Sequence, residues 1–205
     1  MIGLFGGTFD PIHYGHLRSA LEVQEVFVLE QVRLIPSATP PHREQPNVSA
    51  QQRSDMVKLA IADLPDFVCD ERELKREGYS YMVDTLASLR EDFPNQSLLL
   101  FIGTDAFNGL TRWHQWQHLF DYAHVVVMTR PSFQPQTLID FFAQRLTQDK
   151  NQLKLLSGCL YFQHITQLDI SASFIRQLLN EKRSPKFLLP DTVLDFITRH
   201  QLYQN

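Results

Sequence analysis

Gly6-Gly7-Thr8-Phe9-Asp10-Pro11-Ile12-His13-Tyr14-Gly15-His16 is the stretch on which the reading of this chain turns. Before it, Met1 to Phe5 is a short apolar run that reads as a buried strand. After it, Leu17 to Leu29 is a helical pattern with apolar Leu17, Leu21, Val23, Val26 and Phe27. The motif therefore stands where a first strand passes into a first helix. In an open α/β sheet, ligands bind there, at the carboxyl ends of the strands. The helix start adds unpaired backbone N–H groups and a positive dipole, which suit a phosphate. Gly6 and Gly7 allow a sharp turn and a close approach to a ligand. Asp10 before Pro11 is a turn or cap signal, because proline biases its predecessor away from helix. His13 and His16 are three apart, so on a helix they face one side, and Gly15 keeps the space between them open.

Each piece alone has a plainer meaning. A Gly-Gly pair is usually a turn, and a His pair is more often incidental than catalytic. Two His at this spacing also suit a metal ion, but no third ligand stands nearby in a metal-site pattern, so no metal ligands are assigned. The conjunction of strand, glycines, capped turn, two His and helix start carries the weight. Neither G-x-G-x-x-G nor the Walker A pattern with its lysine is present, so a phosphate must find its counter-charge elsewhere.

With 205 residues, the chain is long enough for one good-sized core and a small subdomain. The net charge of −4 argues against a broadly basic surface for nucleic acid. Cys69 and Cys159 are far apart and form no C-x-x-C pattern, which fits reduced thiols in a cytoplasmic protein. No apolar run approaches transmembrane length, and Met1 to Phe5 is too short and uncharged for a signal peptide, so no membrane partner is expected.

Further strands are expected at Val32–Ile35, Phe67–Cys69, Ser97–Ile102, Ala123–Met128 and Leu160–His164. Pro36 to Pro46 reads as a stiff loop carrying His42 and Arg43. Ser49 caps a helix that turns Met56, Val57, Leu59, Ala60 and Ile61 inward. Arg53 sits in its first turn, a poor place for a cation, which hints at an outside partner. Asp70 to Gly78 reads as a solvated charged connection, and Tyr79-Ser80-Tyr81 leads into a helix from about Val83 to Arg90.

Gly103-Thr104-Asp105 repeats the first motif's logic, with Asp105 as a cap, a ribose contact or a metal contact. Trp113 and Trp116 would share a helical face. Thr137 to Leu146 reads as an amphipathic helix, and Pro190 to Arg199 as the last helix. In Ile170-Ser171-Ala172-Ser173-Phe174-Ile175-Arg176, hydroxyls and a cation surround a helix start, with Phe174, Leu178 and Leu179 packing inward. Alternation of strands and helices, with polar motifs after strands one, four and six, argues a doubly wound parallel α/β sheet with right-handed crossovers.

Gly6 to His16 resembles the G-x-F-D-P-x-H-x-G-H signature of the nucleotidyltransferase superfamily, and Ile170 to Arg176 resembles its I-S-S-T-x-I-R signature. Pro40-Pro41-His42-Arg43, Gly103-Thr104-Asp105 and Trp113 resemble the nicotinate-nucleotide adenylyltransferase branch. The resemblance implies a Rossmann-like domain over residues 1–205, with 166–205 a helical part carrying the second motif. It implies adenylyl transfer from ATP, with Mg²⁺, to nicotinate mononucleotide. Catalytic roles would fall on His13, His16 and Arg176. ATP would be met by Gly6, Gly7, Thr8, Phe9, His13, Gly15, His16, His42, Gly103, Asp105, Ile170, Ser171 and Arg176. The acceptor would be met by Thr8, His42, Arg43, Tyr81, Thr85 and Trp113. Met82 stands where that branch often carries threonine, with Thr85 or main-chain groups expected to take over the contact.

Overall fold

The computed structural model describes residues 1–40, 48–129, 138–166 and 168–204. Its strands are β1 (Ile2–Gly7), β2 (Gln31–Pro36), β3 (Phe67–Cys69), β4 (Leu98–Gly103), β5 (His124–Thr129) and β6 (Leu160–His164). All pair in parallel, in the order β3-β2-β1-β4-β5-β6. The α-helices are α1 (Tyr14–Phe27), α2 (Ala50–Ala60), α3 (Met82–Asp92), α4 (Thr104–Asn108), α5 (Leu119–Tyr122), α6 (Asp140–Ala143), α7 (Ala172–Asn180) and α8 (Asp191–Arg199).

The central strands are apolar throughout because helices cover both faces of the sheet. Successive residues alternate between the two layers: Leu99 and Phe101 pack with Phe27, Met56 and Ile197, while Leu98, Leu100 and Ile102 pack with Leu86, Leu89 and Phe142. The strand order reverses between β1 and β4. Those two strands pair only from Ile2↔Leu98 to Leu4↔Leu100; beyond that, Gly6 and Gly7 stay with β2, and Phe101 to Gly103 stay with β5. The sheet thus parts at its carboxyl end and opens a crevice at the switch point.

Local signals account for the element starts. Ser49 Oγ accepts from the Gln52 N–H (3.2 Å) while Gln52 Oε1 accepts from the Ser49 N–H (3.0 Å), a reciprocal cap on α2. Ser171 Oγ accepts from the Phe174 N–H at 3.2 Å and caps α7.

Four expectations are corrected. The helix expected over Thr137–Leu146 is a single turn, because the chain beyond it pairs with β6: Leu160 donates to the Arg145 carbonyl and Thr147 to the Leu160 carbonyl. Thr137 lies outside the described residues. Phe174 is 45 % exposed, and Leu59 is also on the surface, so both depart from their expected inward faces. Trp113 and Trp116 do not share a helix; left-handed Gln115 (φ 48°) separates two short 3₁₀ turns. The Asp70–Gly78 connection is not simply solvated: Asp70 is buried between Arg33 and Arg72, each at 2.8 Å, and Glu73 is buried.

Candidate active site

A cleft of about 580 Å³ fills the opening between β1 and β4. Gly6, Gly7, Thr8, Phe9, Gly15 and His16 form one wall, with Gly103 and Asp105 opposite. Ser37, Pro40, Glu73, Ser80, Tyr81 and Met82 extend the cleft to one side, and Trp113 and His114 close it.

The glycines are needed for reasons other than the expected turn. Gly6 and Gly7 lie within β1, and the left-handed residue of the turn is Phe9 (φ 50°). A Cβ on Gly6 would run into the Met82 methyl, and one on Gly7 would meet the Phe9 ring at 2.9 Å. Gly15 does keep space at the His pair: a Cβ there would meet His13 Nδ1 at 2.9 Å and the Ile170 carbonyl at 3.4 Å. The first and second motifs therefore touch at Gly15.

His13 and His16 do share a face, and their rings stack 3.7 Å apart. They are not equivalent. His16 lines the cleft; its Nδ1 accepts from the His13 backbone N–H at 3.4 Å, so its neutral form carries the proton on Nε2. His13 stands behind it, 5 % exposed and off the cleft lining. Burial draws the His13 imidazole down to about 4, which keeps it neutral near pH 7. Its Nδ1 has no hydrogen-bond partner among the described residues.

Arg176 also lies off the cleft lining. It donates to the Asp10 carbonyl at 2.7 Å and sits 3.7 Å from an Asp10 carboxylate oxygen. The other Asp10 oxygen accepts from the Tyr203 hydroxyl at 2.6 Å. The second motif and the C-terminal segment thus both grip the first. Burial and this bond push the Tyr203 hydroxyl well above the ordinary phenol range.

Ile170 and Ser171 flank this junction rather than the cleft wall. Asp105 is exposed in the first turn of α4 and does not cap it; Gly103 holds the cap position.

At the other end, the Tyr81 and His114 rings lie 4.3 Å apart. Tyr81 is the N-cap of α3, so the first amides of that helix start at the cleft. Thr85 is turned away: its hydroxyl donates to Glu73 at 2.7 Å and accepts from Arg76 at 3.1 Å, so it does not replace the hydroxyl absent at Met82. His42 and Arg43 lie outside the described residues.

Sequence reasoning missed Ser37, Glu73, Ser80 and His114 as cleft residues. Ser80 carried a usable signal, a small hydroxyl just before a helix start. Glu73 carried none, because charge-rich composition reads as solvated. It is 3 % exposed, and burial pushes its carboxyl upward against hydrogen bonds from Thr85 and Ser80.

A parallel sheet with a ligand-sized cleft at its switch point, lined by a His-bearing helix start, suits the binding of a nucleotide, and the chain's relatives make it a nucleotidyltransferase. Residues 4–178 match the cytidylyltransferase-like family, and the chain belongs to it. Within it, the chain belongs with the nicotinate-nucleotide adenylyltransferases. A Pseudomonas aeruginosa protein named probable nicotinate-nucleotide adenylyltransferase is 48 % identical over 99 % of this chain and 97 % of its own length. A Methylococcus capsulatus protein of the same name is 47 % identical, with 99 % of each chain covered. The fold is also that of a solved Plasmodium falciparum nicotinic acid mononucleotide adenylyltransferase complexed with NaAD. That likeness has a TM-score of 0.74 at 17 % identity, over 98 % of this chain and 96 % of the other.

Proposed function

We propose that this chain transfers the adenylyl group of ATP to nicotinate mononucleotide, giving nicotinate adenine dinucleotide and pyrophosphate. The observation that carries the reading is a single cleft with two chemically different ends. One end offers His16 and the start of α1 to phosphates. The other offers aromatic Tyr81, Trp113 and His114 beside the first turn of α3. The names of the near-full-length relatives support the same assignment.

The acceptor phosphate oxygen attacks the α-phosphorus in line. The bond from that phosphorus to the bridging oxygen breaks, and pyrophosphate leaves with the electron pair. The attacking phosphate is already an anion, so no general base and no covalent enzyme intermediate are needed. The protein positions both nucleotides and stabilises developing charge. His16 is the donor nearest the transferred phosphorus. Arg176 and Ser171, which stand off the cleft wall in this structure, are assigned the outer phosphates on the strength of the second motif, and His13 buttresses His16.

Asp105 meets the ATP ribose, and Trp113 stacks on the pyridine ring. Amides at the start of α3, next to Tyr81, read its carboxylate. The divalent ion would be Mg²⁺, arriving with ATP. Bound with ATP, it would offset the negative charge of the phosphates. The whole chain acts as one domain, residues 166–205 forming its helical part.

Pyrophosphate release from ATP, measured across candidate phosphate acceptors, tests the reading. Release with nicotinate mononucleotide supports it. Release only with a pantetheine phosphate would assign the chain to a different adenylyl acceptor, and no release with any acceptor would make it a nucleotide-binding module.

A further inference from the structure

Arg53 is the largest fully buried side chain of the described residues, 1 % exposed on α2. Its partners lie within the chain, not outside it as its first-turn position hints. One terminal nitrogen donates to the Thr8 carbonyl at 2.6 Å. The other donates to the Ser37 carbonyl at 2.7 Å and the Ala38 carbonyl at 3.3 Å. Thr8 belongs to the loop after β1, and Ser37 and Ala38 to the loop after β2. Those loops carry different parts of the cleft.

The chain of contacts continues. Ser80 Oγ accepts from the Ala38 N–H (2.9 Å) and the Thr39 N–H (3.2 Å), and the Ser80 N–H donates to the Thr39 carbonyl (3.0 Å). A continuous hydrogen-bonded route thus runs from Thr8, beside the α1 phosphate end, through Arg53 to Ser80 at the start of α3.

We propose that Arg53 is a positioning residue for the transfer reaction, holding the phosphate end and the acceptor end of the cleft in one register. This rests on the adenylyl-transfer reading above. The chemistry favours arginine specifically. Its planar fork spans acceptors on two loops at once, whereas a lysine ammonium is a single point on a flexible stem.

The site also tolerates an expense that a simple fold staple would avoid. None of the Arg53 hydrogen bonds among the described residues goes to a carboxylate, and its Nε has no partner there. Burial draws the guanidinium down from its ordinary value, opposed chiefly by the nearby Asp10 carboxylate. Asp10 is gripped by Arg176 of the second motif, and Glu73 lines the acceptor side.

Arg90 provides the control. It donates to the carbonyls of Phe93, Gln96, Tyr122 and Leu156, at the amino ends of β4, β5 and β6, far from the cleft. The test is steady-state kinetics with each nucleotide varied, below the unfolding transition seen by circular dichroism. Arg53→Lys is expected to lower kcat about tenfold or more and to raise KM for both ATP and the acceptor, because ångström-scale misplacement of reacting groups costs up to about 10² in rate. Arg90→Lys is expected to lower Tm while leaving kcat and both KM values within about twofold.

If Arg53→Lys does not fold, Ser80→Ala decides instead. It lies on the acceptor side, so a raised KM for ATP as well as for the acceptor supports the linked register. A change in the acceptor KM alone overturns it. A folded Arg53→Lys with wild-type kinetics, or one whose changes match Arg90→Lys, also overturns it. An active wild type with those results sinks only this inference; an inactive wild type sinks the proposed function and the inference together.

Discussion

The two ends of the sheet treat their buried polar groups differently. At the amino end they are satisfied. Arg90 reaches four carbonyls, and Ser97 Oγ donates to Leu153. His124 uses both ring nitrogens, one on the Leu155 carbonyl and one accepting from the Cys159 N–H. At the carboxyl end lie three buried atoms that lack a partner among the described residues: His13 Nδ1, Ser37 Oγ and Arg53 Nε. Buried unpaired groups cost stability, and they persist where function requires a set geometry. The amino end holds the fold, and the carboxyl end carries the chemistry.

The sharpest way to break that contrast is His16→Ala. Loss of one preorganised donor at the transferred phosphate costs about 10²–10³ in rate. The variant is expected to keep the wild-type circular dichroism spectrum and lose turnover by that factor. A near wild-type kcat would remove His16 from the mechanism.

Arg176→Ala comes next. A hydrogen bond to a charged group contributes about 1.5–3 kcal/mol, or roughly 10–100-fold. The loss should fall on kcat/KM for ATP more than on that for the acceptor. A KM raised only for the mononucleotide would mean that the second motif serves the acceptor.

His13 allows a stability test of the same end. Its folded-state value of about 4 lies below the ordinary 6.5, so between those limits the unfolded chain binds a proton that the folded chain does not. Stability therefore falls as pH drops through that window, by about 2 kcal/mol between pH 7 and pH 5. In His13→Asn the Tm difference between these pH values should shrink by several degrees. His124, also drawn down by burial, is unchanged in that comparison. Equal Tm differences in both proteins would show that His13 is not a buried neutral imidazole.

The smallest effect is expected at Trp113. Aromatic stacking contributes about 0.5–1.5 kcal/mol, so Trp113→Ala should weaken the acceptor several-fold. Preference for nicotinate over nicotinamide mononucleotide should survive, because backbone donors discriminate carboxylate from amide and the ring face does not. A preference that disappears with Trp113 would transfer the discrimination to the ring face.

Much of this was legible in the sequence, for local reasons. β6 matches its expected bounds, and Ser49 and Ser171 are the caps their residue types suggest. The first motif does sit at the carboxyl end of β1. What escaped was tertiary. Arg53 and Glu73 carry charges that composition assigns to solvent, and only the folded chain supplies the carbonyls and hydroxyl that let them be buried. Phe174 follows the apolar spacing of α7 yet faces outward, because spacing marks a face but not what covers it. Thr85 has the right residue type near the acceptor end, but its hydroxyl is taken by Glu73.

The most direct test of the central claim follows the α-phosphorus itself. ATP labelled there is incubated with Mg²⁺, nicotinate mononucleotide and the protein, and the products are separated. The prediction is that label appears only in the dinucleotide, with unlabelled pyrophosphate formed in equal amount and no label bound to protein. Label left in ATP, or carried on the protein as a covalent intermediate, would contradict direct adenylyl transfer in this cleft.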